Sequence, residues 1–212
     1  MDISEKYTAK HTGPEDELLA ELARETEIKK MHPRMLSGKV QGKLLEFLSK
    51  MLRPRAILEI GTFTGYSALC LSKGLDKNGE LHTIEINDEH ESMILKYFKK
   101  SAQANQLKLH VGKAEDIIPT LNKSFDLIFI DADKRDYLNY YKAAFEKLNI
   151  GGFIIADNVF WSGKVFHPTE PNDESTAGIK EFNEFVRKDS RTEQVMLPIR
   201  DGISIIRKIS NS

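Results

Sequence analysis

Along the chain, short apolar runs alternate with longer stretches in which apolar positions recur every three or four residues. Runs at 56–60, 81–86, 107–111, 127–130 and 153–156 have strand length, and stretches at 66–75, 88–104, 115–121 and 137–148 have helical spacing. This repeated strand–helix order predicts right-handed crossovers. They give a parallel sheet covered by helices on both faces, an α/β fold with ligands at the carboxyl ends of the strands. The rhythm changes after a helix at 176–188, where strand-like runs at 193–198 and 203–208 flank Arg200-Asp-Gly. That spacing predicts a hairpin adding an antiparallel edge. Ahead of the first strand, 14–30 and 39–51 read as helices, the former with Pro14 at its start, where helices favour proline. They are expected to cover the ligand end of the sheet. No repeat, low-complexity tract or linker interrupts the pattern. One domain over 1–212 is expected, with 1–52 as helical cover and 53–212 as α/β core.

Charge narrows the partners. With 31 Lys and Arg against 32 Asp and Glu, the net charge of −1 exerts no general pull toward nucleic acid or an anionic membrane. A small molecule recognised locally is expected instead. Residues 1–10 are polar and mixed in charge and contain no apolar run of signal-peptide or membrane-span length, so a cytoplasmic protein is expected. The single cysteine, Cys70, lies in an apolar-rich helical stretch and reads as a buried thiol rather than a reactive one.

Two places carry chemistry. In the first, Ile57-Leu-Glu-Ile-Gly-Thr-Phe-Thr-Gly-Tyr-Ser67 runs a strand through a glycine-bearing turn into a helix. Gly61 and Gly65 permit a tight turn and close approach of backbone to a ligand. Glycines alone fit nucleotide binding and plain turn-making equally. The spacing here, however, is Gly-x-x-x-Gly, and Glu59 stands just before the turn. A pyrophosphate wants bare N–H groups without a carboxylate nearby, whereas S-adenosylmethionine carries a sulfonium and an ammonium and has no phosphate. Glu85, ending the second strand, is placed to accept from both ribose hydroxyls, and its plain alternative is a solvated strand-end carboxylate. Gly112-Lys-Ala-Glu-Asp116 forms the turn expected beside the adenine.

In the second place, the fourth strand ends in Asp131-Ala-Asp-Lys134 and the fifth in Asp157-Asn158. Neighbouring parallel strands lie about 4.8 Å apart, so Asp131, Asp157 and Asn158 converge on one point. Three oxygen donors without His or Cys describe a site for a hard cation such as Mg²⁺. Either strand end alone is an ordinary polar terminus. Asp133 should face elsewhere, because alternate residues at a strand end point opposite ways. Lys134 is either a surface lysine, the common fate of that residue, or a general base beside the cation.

Together Leu58-Glu-Ile-Gly-Thr-Phe-Thr-Gly-Tyr-Ser67, Asp131-Ala-Asp-Lys134 and Ala156-Asp-Asn158 resemble the cation-dependent O-methyltransferases of the caffeoyl-CoA and catechol type, within the class I methyltransferase superfamily. The resemblance spans roughly residues 39–208, nearly the whole catalytic domain. It implies a Rossmann-like, seven-stranded, mostly parallel sheet whose last strand is antiparallel. S-adenosylmethionine is the implied cofactor, together with a divalent cation, Mg²⁺ first and Mn²⁺ or Ca²⁺ as alternatives. The implied acceptor is a small catechol or other phenolic, and the implied assembly a homodimer. By position, Ser37, Glu59, Gly61, Tyr66, Ser67, Glu85 and Ala114 would line the cofactor site. Asp131, Asp157 and Asn158 would hold the metal, Asp131 would also face the cofactor's amino group, and Lys134 would be the base. His32-Pro-Arg-Met-Leu-Ser37 is similar to the bacterial members, in which this segment approaches cofactor and substrate.

Trp161, in the long loop 159–175, is either a platform for the acceptor ring or an anchor for the loop. Two other function classes compete with methyl transfer. An NAD-dependent oxidoreductase would share the ribose carboxylate but lacks its pyrophosphate turn here. A non-catalytic S-adenosylmethionine-binding protein would have lost the acidic cluster or the lysine.

Overall fold

The computed structural model describes residues 3–212. Met1 and Asp2, part of the segment read as lacking a targeting run, lie outside the described residues. Seven strands form one sheet: β1 (Ala56–Ile60), β2 (Glu80–Glu85), β3 (Leu107–Val111), β4 (Phe125–Ile130), β5 (Leu148–Asp157), β6 (Thr192–Leu197) and β7 (Ile203–Lys208). Their spatial order is β3-β2-β1-β4-β5-β7-β6. Strands β1 to β5 pair in parallel, and β7 runs antiparallel to both β5 and β6. The mostly parallel sheet with its reversed last strand is therefore present as expected.

Alternation along the strands feeds two apolar cores. On one face Leu58, Ile60, Ile128, Ile130, Ile154 and Ile206 pack with side chains of α6 (Ala114–Thr120), α7 (Tyr137–Lys147) and α8 (Glu174–Lys188). On the other, Ile57, Leu127, Phe129, Ile155 and Ile203 pack with those of α2 (Glu17–Lys29), α3 (Gly38–Leu52), α4 (Tyr66–Ser72) and α5 (Glu91–Lys100). Because the central strands are buried on both faces, they read as nearly unbroken apolar runs. Cys70 is fully buried on α4, as its apolar neighbours suggested.

The departures lie in the helices. α2 starts at Glu17 rather than near Pro14, because the Asp16 side chain accepts from the Leu18 and Leu19 amides and so caps the helix there. An unanticipated helix, α1 (Ile3–His11), precedes it; none of its residues is buried, so it has no apolar stripe to read. The stretch 88–104 divides into a 3₁₀ turn, Asp88–His90, and α5, which ends at Lys100. Strand β5 begins at Leu148, five residues before its apolar run. No helix among the described residues is long and apolar enough to cross a membrane.

Candidate active site

The strand order reverses between β1 and β4, and at that switch point a cavity of about 650 Å³ opens over the carboxyl ends of the strands. It is lined by Ser37, Gly61, Tyr66, Ser67, Glu85, Ala114, Asp131, Lys134, Asp157 and Asn158. Every residue assigned to the site from sequence is thus in its wall, except Glu59. That carboxylate is fully buried behind the turn, on the same strand face as Ile57.

The turn after β1 is built for close approach. Gly61 has φ +98°, and a Cβ there would stand 2.0 Å from the Asp131 carbonyl oxygen, so only glycine lets the ends of β1 and β4 meet. Gly61 N–H donates to the Ile84 carbonyl (3.0 Å) and Asp131 N–H to that of Ile60 (2.9 Å). Three strand ends are thereby tied together. Glu85 accepts from the Phe63 amide (2.6 Å) and the Asn87 amide (2.9 Å), which fixes its carboxylate at the cavity wall. Phe63 itself lines the cavity with φ +51° and lies edge-to-face on His90. Nothing in the turn's glycine pattern had singled it out.

Glu59 is the cross-strand neighbour of Thr83, whose hydroxyl donates to its Oε2. Its Oε1 is buried without a partner. Burial pushes this carboxyl up to about 8; the nearby hydroxyls of Ser67 and Thr83 oppose the shift, and the charges of Asp131 and Glu85 add to it.

In the sheet Ile130 is level with Ala156, so the next residues, Asp131 and Asp157, come side by side as the sequence predicted. Asp157, 3% exposed, is pushed up to about 6, first by burial and then by the Asp131 charge, while Gln41, Lys134 and the Asn158 amide pull it down. Asn158 follows with φ +55°, and its Nδ2 lies 3.4 Å from Asp201 Oδ2. Two mutually repelling carboxylates and an amide are all hard oxygen donors, and they fit a divalent cation of the Mg²⁺ class.

Lys134 is only 6% exposed, which removes the surface reading. Its ammonium donates to Asp131 Oδ1 (2.9 Å) and to the Tyr137 hydroxyl (2.5 Å). Tyr137 donates in turn to the backbone carbonyl of Asp157 (2.9 Å) and links the ends of β4 and β5. Asp133 turns away from the acidic pair: it accepts from the Arg135 amide and pairs with the Arg135 guanidinium. Trp161 packs against the core beneath it, as the anchor reading expected, and also lines the cavity, with its indole N–H buried and unpartnered.

Two further residues connect to the acidic cluster without having been assigned to the site from sequence. Gln41 of α3 donates to Asp157 Oδ2 (2.5 Å), and Arg200, in the turn between β6 and β7, donates to Gln41 Oε1 (2.6 Å) and to the Ser37 carbonyl. A polar residue on the buried stripe of α3, in line with Leu45 and Ser49, was the available signal for Gln41. Arg200 gave none.

A strand-end cavity at the switch point of a seven-stranded sheet with a reversed last strand is the architecture this chain shares with SAM- and SAH-bound methyltransferases. The chain belongs to the O-methyltransferase family, whose model matches residues 8–209. It is 35% identical to caffeoyl-CoA O-methyltransferase 1 of Eucalyptus globulus over 198 residues, covering 87% of this chain and 80% of that one. Among solved structures, the O-methyltransferase TomG of Streptomyces achromogenes in complex with SAM superposes with a TM-score of 0.90 at 29% identity, covering 99% of this chain and 100% of that one. The O-methyltransferase of Bacillus cereus in complex with SAH gives 0.90 at 28%, covering 97% and 96%. The protein is thus an S-adenosylmethionine-dependent O-methyltransferase, and the oxidoreductase alternative falls away.

Proposed function

We propose that the protein moves the methyl group of S-adenosylmethionine to a hydroxyl oxygen of a small catechol-like or phenylpropanoid acceptor chelated on a divalent cation. The observation that carries this reading is the level pair Asp131 and Asp157, joined by Asn158 and Lys134 in the wall of a cavity that also presents Glu85. Asp131, Asp157 and Asn158 hold the cation; Mg²⁺ is favoured by the all-oxygen donor set, with Mn²⁺ and Ca²⁺ as alternatives. When bound, such a cation lowers the pKa of a coordinated hydroxyl and fixes its direction.

The chain's own residues do the rest. Glu85 takes the ribose hydroxyls, while Ser37, Gly61, Tyr66, Ser67, Ala114 and Asp131 line the remainder of the cofactor site, with the buried Glu59 carboxyl backing the turn. Lys134 accepts the hydroxyl proton, and Trp161 closes the acceptor side against water. The protein acts mainly by positioning, since in-line displacement at a sulfonium methyl needs a nucleophilic oxygen held at the right angle. A homodimer working in the cytoplasm completes the proposal; sedimentation of the purified protein at micromolar concentration tests the pairing, and a monomer would refute it.

Methyl transfer measured over catechols, caffeate, caffeoyl-CoA and flavonoids with Mg²⁺, Mn²⁺ and Ca²⁺ tests the acceptor class. Vicinal diols should be methylated, and their monohydroxy analogues should fall at least about a hundredfold in kcat/KM, because one oxygen cannot chelate. Equal rates on monophenols would refute chelation as the basis of selection.

A further inference from the structure

The Asp157 carboxylate is held from one side by a chain of residues that leads away from the reacting groups. Its Oδ1 accepts from the Asn158 amide (2.8 Å) and its Oδ2 from Gln41 Nε2 (2.5 Å), which leaves each oxygen one further lone pair. Gln41 is 1% exposed. Its amide has only one consistent orientation: Arg200, a pure donor, requires Oε1 on its side, and the carboxylate requires Nε2 on the other. Arg200 Nη1 is itself fixed, because it also donates to the Ser37 carbonyl at the start of α3. The hairpin turn and the helical cover thus meet on one guanidinium. From there a single amide reaches the acidic pair.

We propose that Gln41 is a positioning residue for the cation site, aiming the Asp157 carboxylate, and that Arg200 acts through it by locking the amide. This rests on the reading of Asp131, Asp157 and Asn158 as cation ligands. Gln41 touches neither acceptor nor cofactor in this account. A carboxylate freed of its Gln41 bond can turn about its side-chain torsion, and the cation then loses a preorganised oxygen.

The test measures Mn²⁺ affinity by electron paramagnetic resonance, and S-adenosylhomocysteine affinity by calorimetry, for wild type, Gln41→Met, Arg200→Met and the double variant. Loss of one hydrogen bond to a charged group predicts Mn²⁺ binding weakened about tenfold to a hundredfold in Gln41→Met, with cofactor-product affinity kept. The Mn²⁺ concentration for half-maximal turnover should rise in step, and kcat should return at saturating Mn²⁺. Arg200→Met should weaken Mn²⁺ binding less, and the double variant should be no worse than Gln41→Met alone. Unchanged Mn²⁺ affinity in Gln41→Met, equal loss of both ligands, or additive losses in the double variant would overturn the proposal. If Gln41→Met does not fold, Arg200→Met decides, and wild-type Mn²⁺ affinity there counts against it. A wild type that binds no Mn²⁺ would instead remove the cation site on which the proposal rests.

Discussion

Lys134 sits where a base for a cation-bound hydroxyl would have to sit, between Asp131 and the Tyr137 hydroxyl and shielded from water. If it removes a proton, Lys134→Arg should fail nearly as badly as Lys134→Ala, because arginine stays protonated at any working pH. Both should lose about 10²- to 10⁴-fold in kcat at neutral pH. An arginine variant within about threefold of wild type across the kcat–pH profile would leave Lys134 only a supplier of charge. Glu59 gives a second test at this scale. Its carboxyl stands at about 8 in the folded protein against 4.5 for the free group. Between those values the folded state keeps a proton that the unfolded state releases. Stability of the ligand-free protein should therefore fall as pH rises through that window and level off above it, by on the order of a few kcal/mol. Glu59→Gln should abolish that slope, matching wild type near pH ~5 and exceeding it near pH ~9 in urea unfolding. Parallel profiles for the two proteins would contradict the buried-acid assignment. Both residues were visible in the sequence as charged groups at strand ends. What the sequence could not supply was depth: the family resemblance set Glu59 among the cofactor-lining residues, and only packing puts it behind the turn.

At the scale of elements, α8 holds the 3₁₀ turn Lys134–Asp136 that carries the proposed base. A Cβ on Gly178 would stand 2.5 Å from the Lys134 carbonyl oxygen, so helix and turn are in contact through a bare backbone. Alanine at 178 gains about 1 kcal/mol in helix propensity but must push the turn aside. Gly178→Ala should therefore lower kcat while leaving S-adenosylhomocysteine affinity intact, with a net stability loss of about 1–3 kcal/mol from overpacking. A variant that melts higher than wild type at full kcat would show that α8 does not set the turn. The strands were largely legible, because β1, β4 and β5 are buried on both faces and so stand out as apolar runs. Helix ends were less so. Asp16 outcompetes Pro14 as the start of α2 through two side-chain hydrogen bonds, a contest that composition does not decide. Arg200 was illegible for a different reason: its role depends on β7 returning beside β5, so that a hairpin turn meets α3 across more than 150 residues of chain.

Over the whole molecule, the sheet divides its ligand end between two tasks. The ends of β1 and β2, with Glu85, form the wall proposed for the cofactor, and the ends of β4 and β5 carry the acidic pair that is proposed to hold cation and acceptor. A parallel sheet with ligands at its strand ends followed from the βα rhythm; the strand order that separates the two tasks did not, and the helical cover that closes them, Ser37 to Gln41, was foreseen as a location without its contacts. This division implies that cofactor binding and turnover respond differently to loss of the cation. The most direct measurement follows both in one preparation: S-adenosylhomocysteine affinity by calorimetry and methyl transfer to a catechol, with and without excess chelator, for wild type and Asp157→Ala. The account predicts that chelator abolishes turnover, that added Mg²⁺ restores it in wild type but not in Asp157→Ala, and that cofactor-product affinity stays within about threefold throughout. Full turnover in chelator, after verified removal of metal, would contradict it.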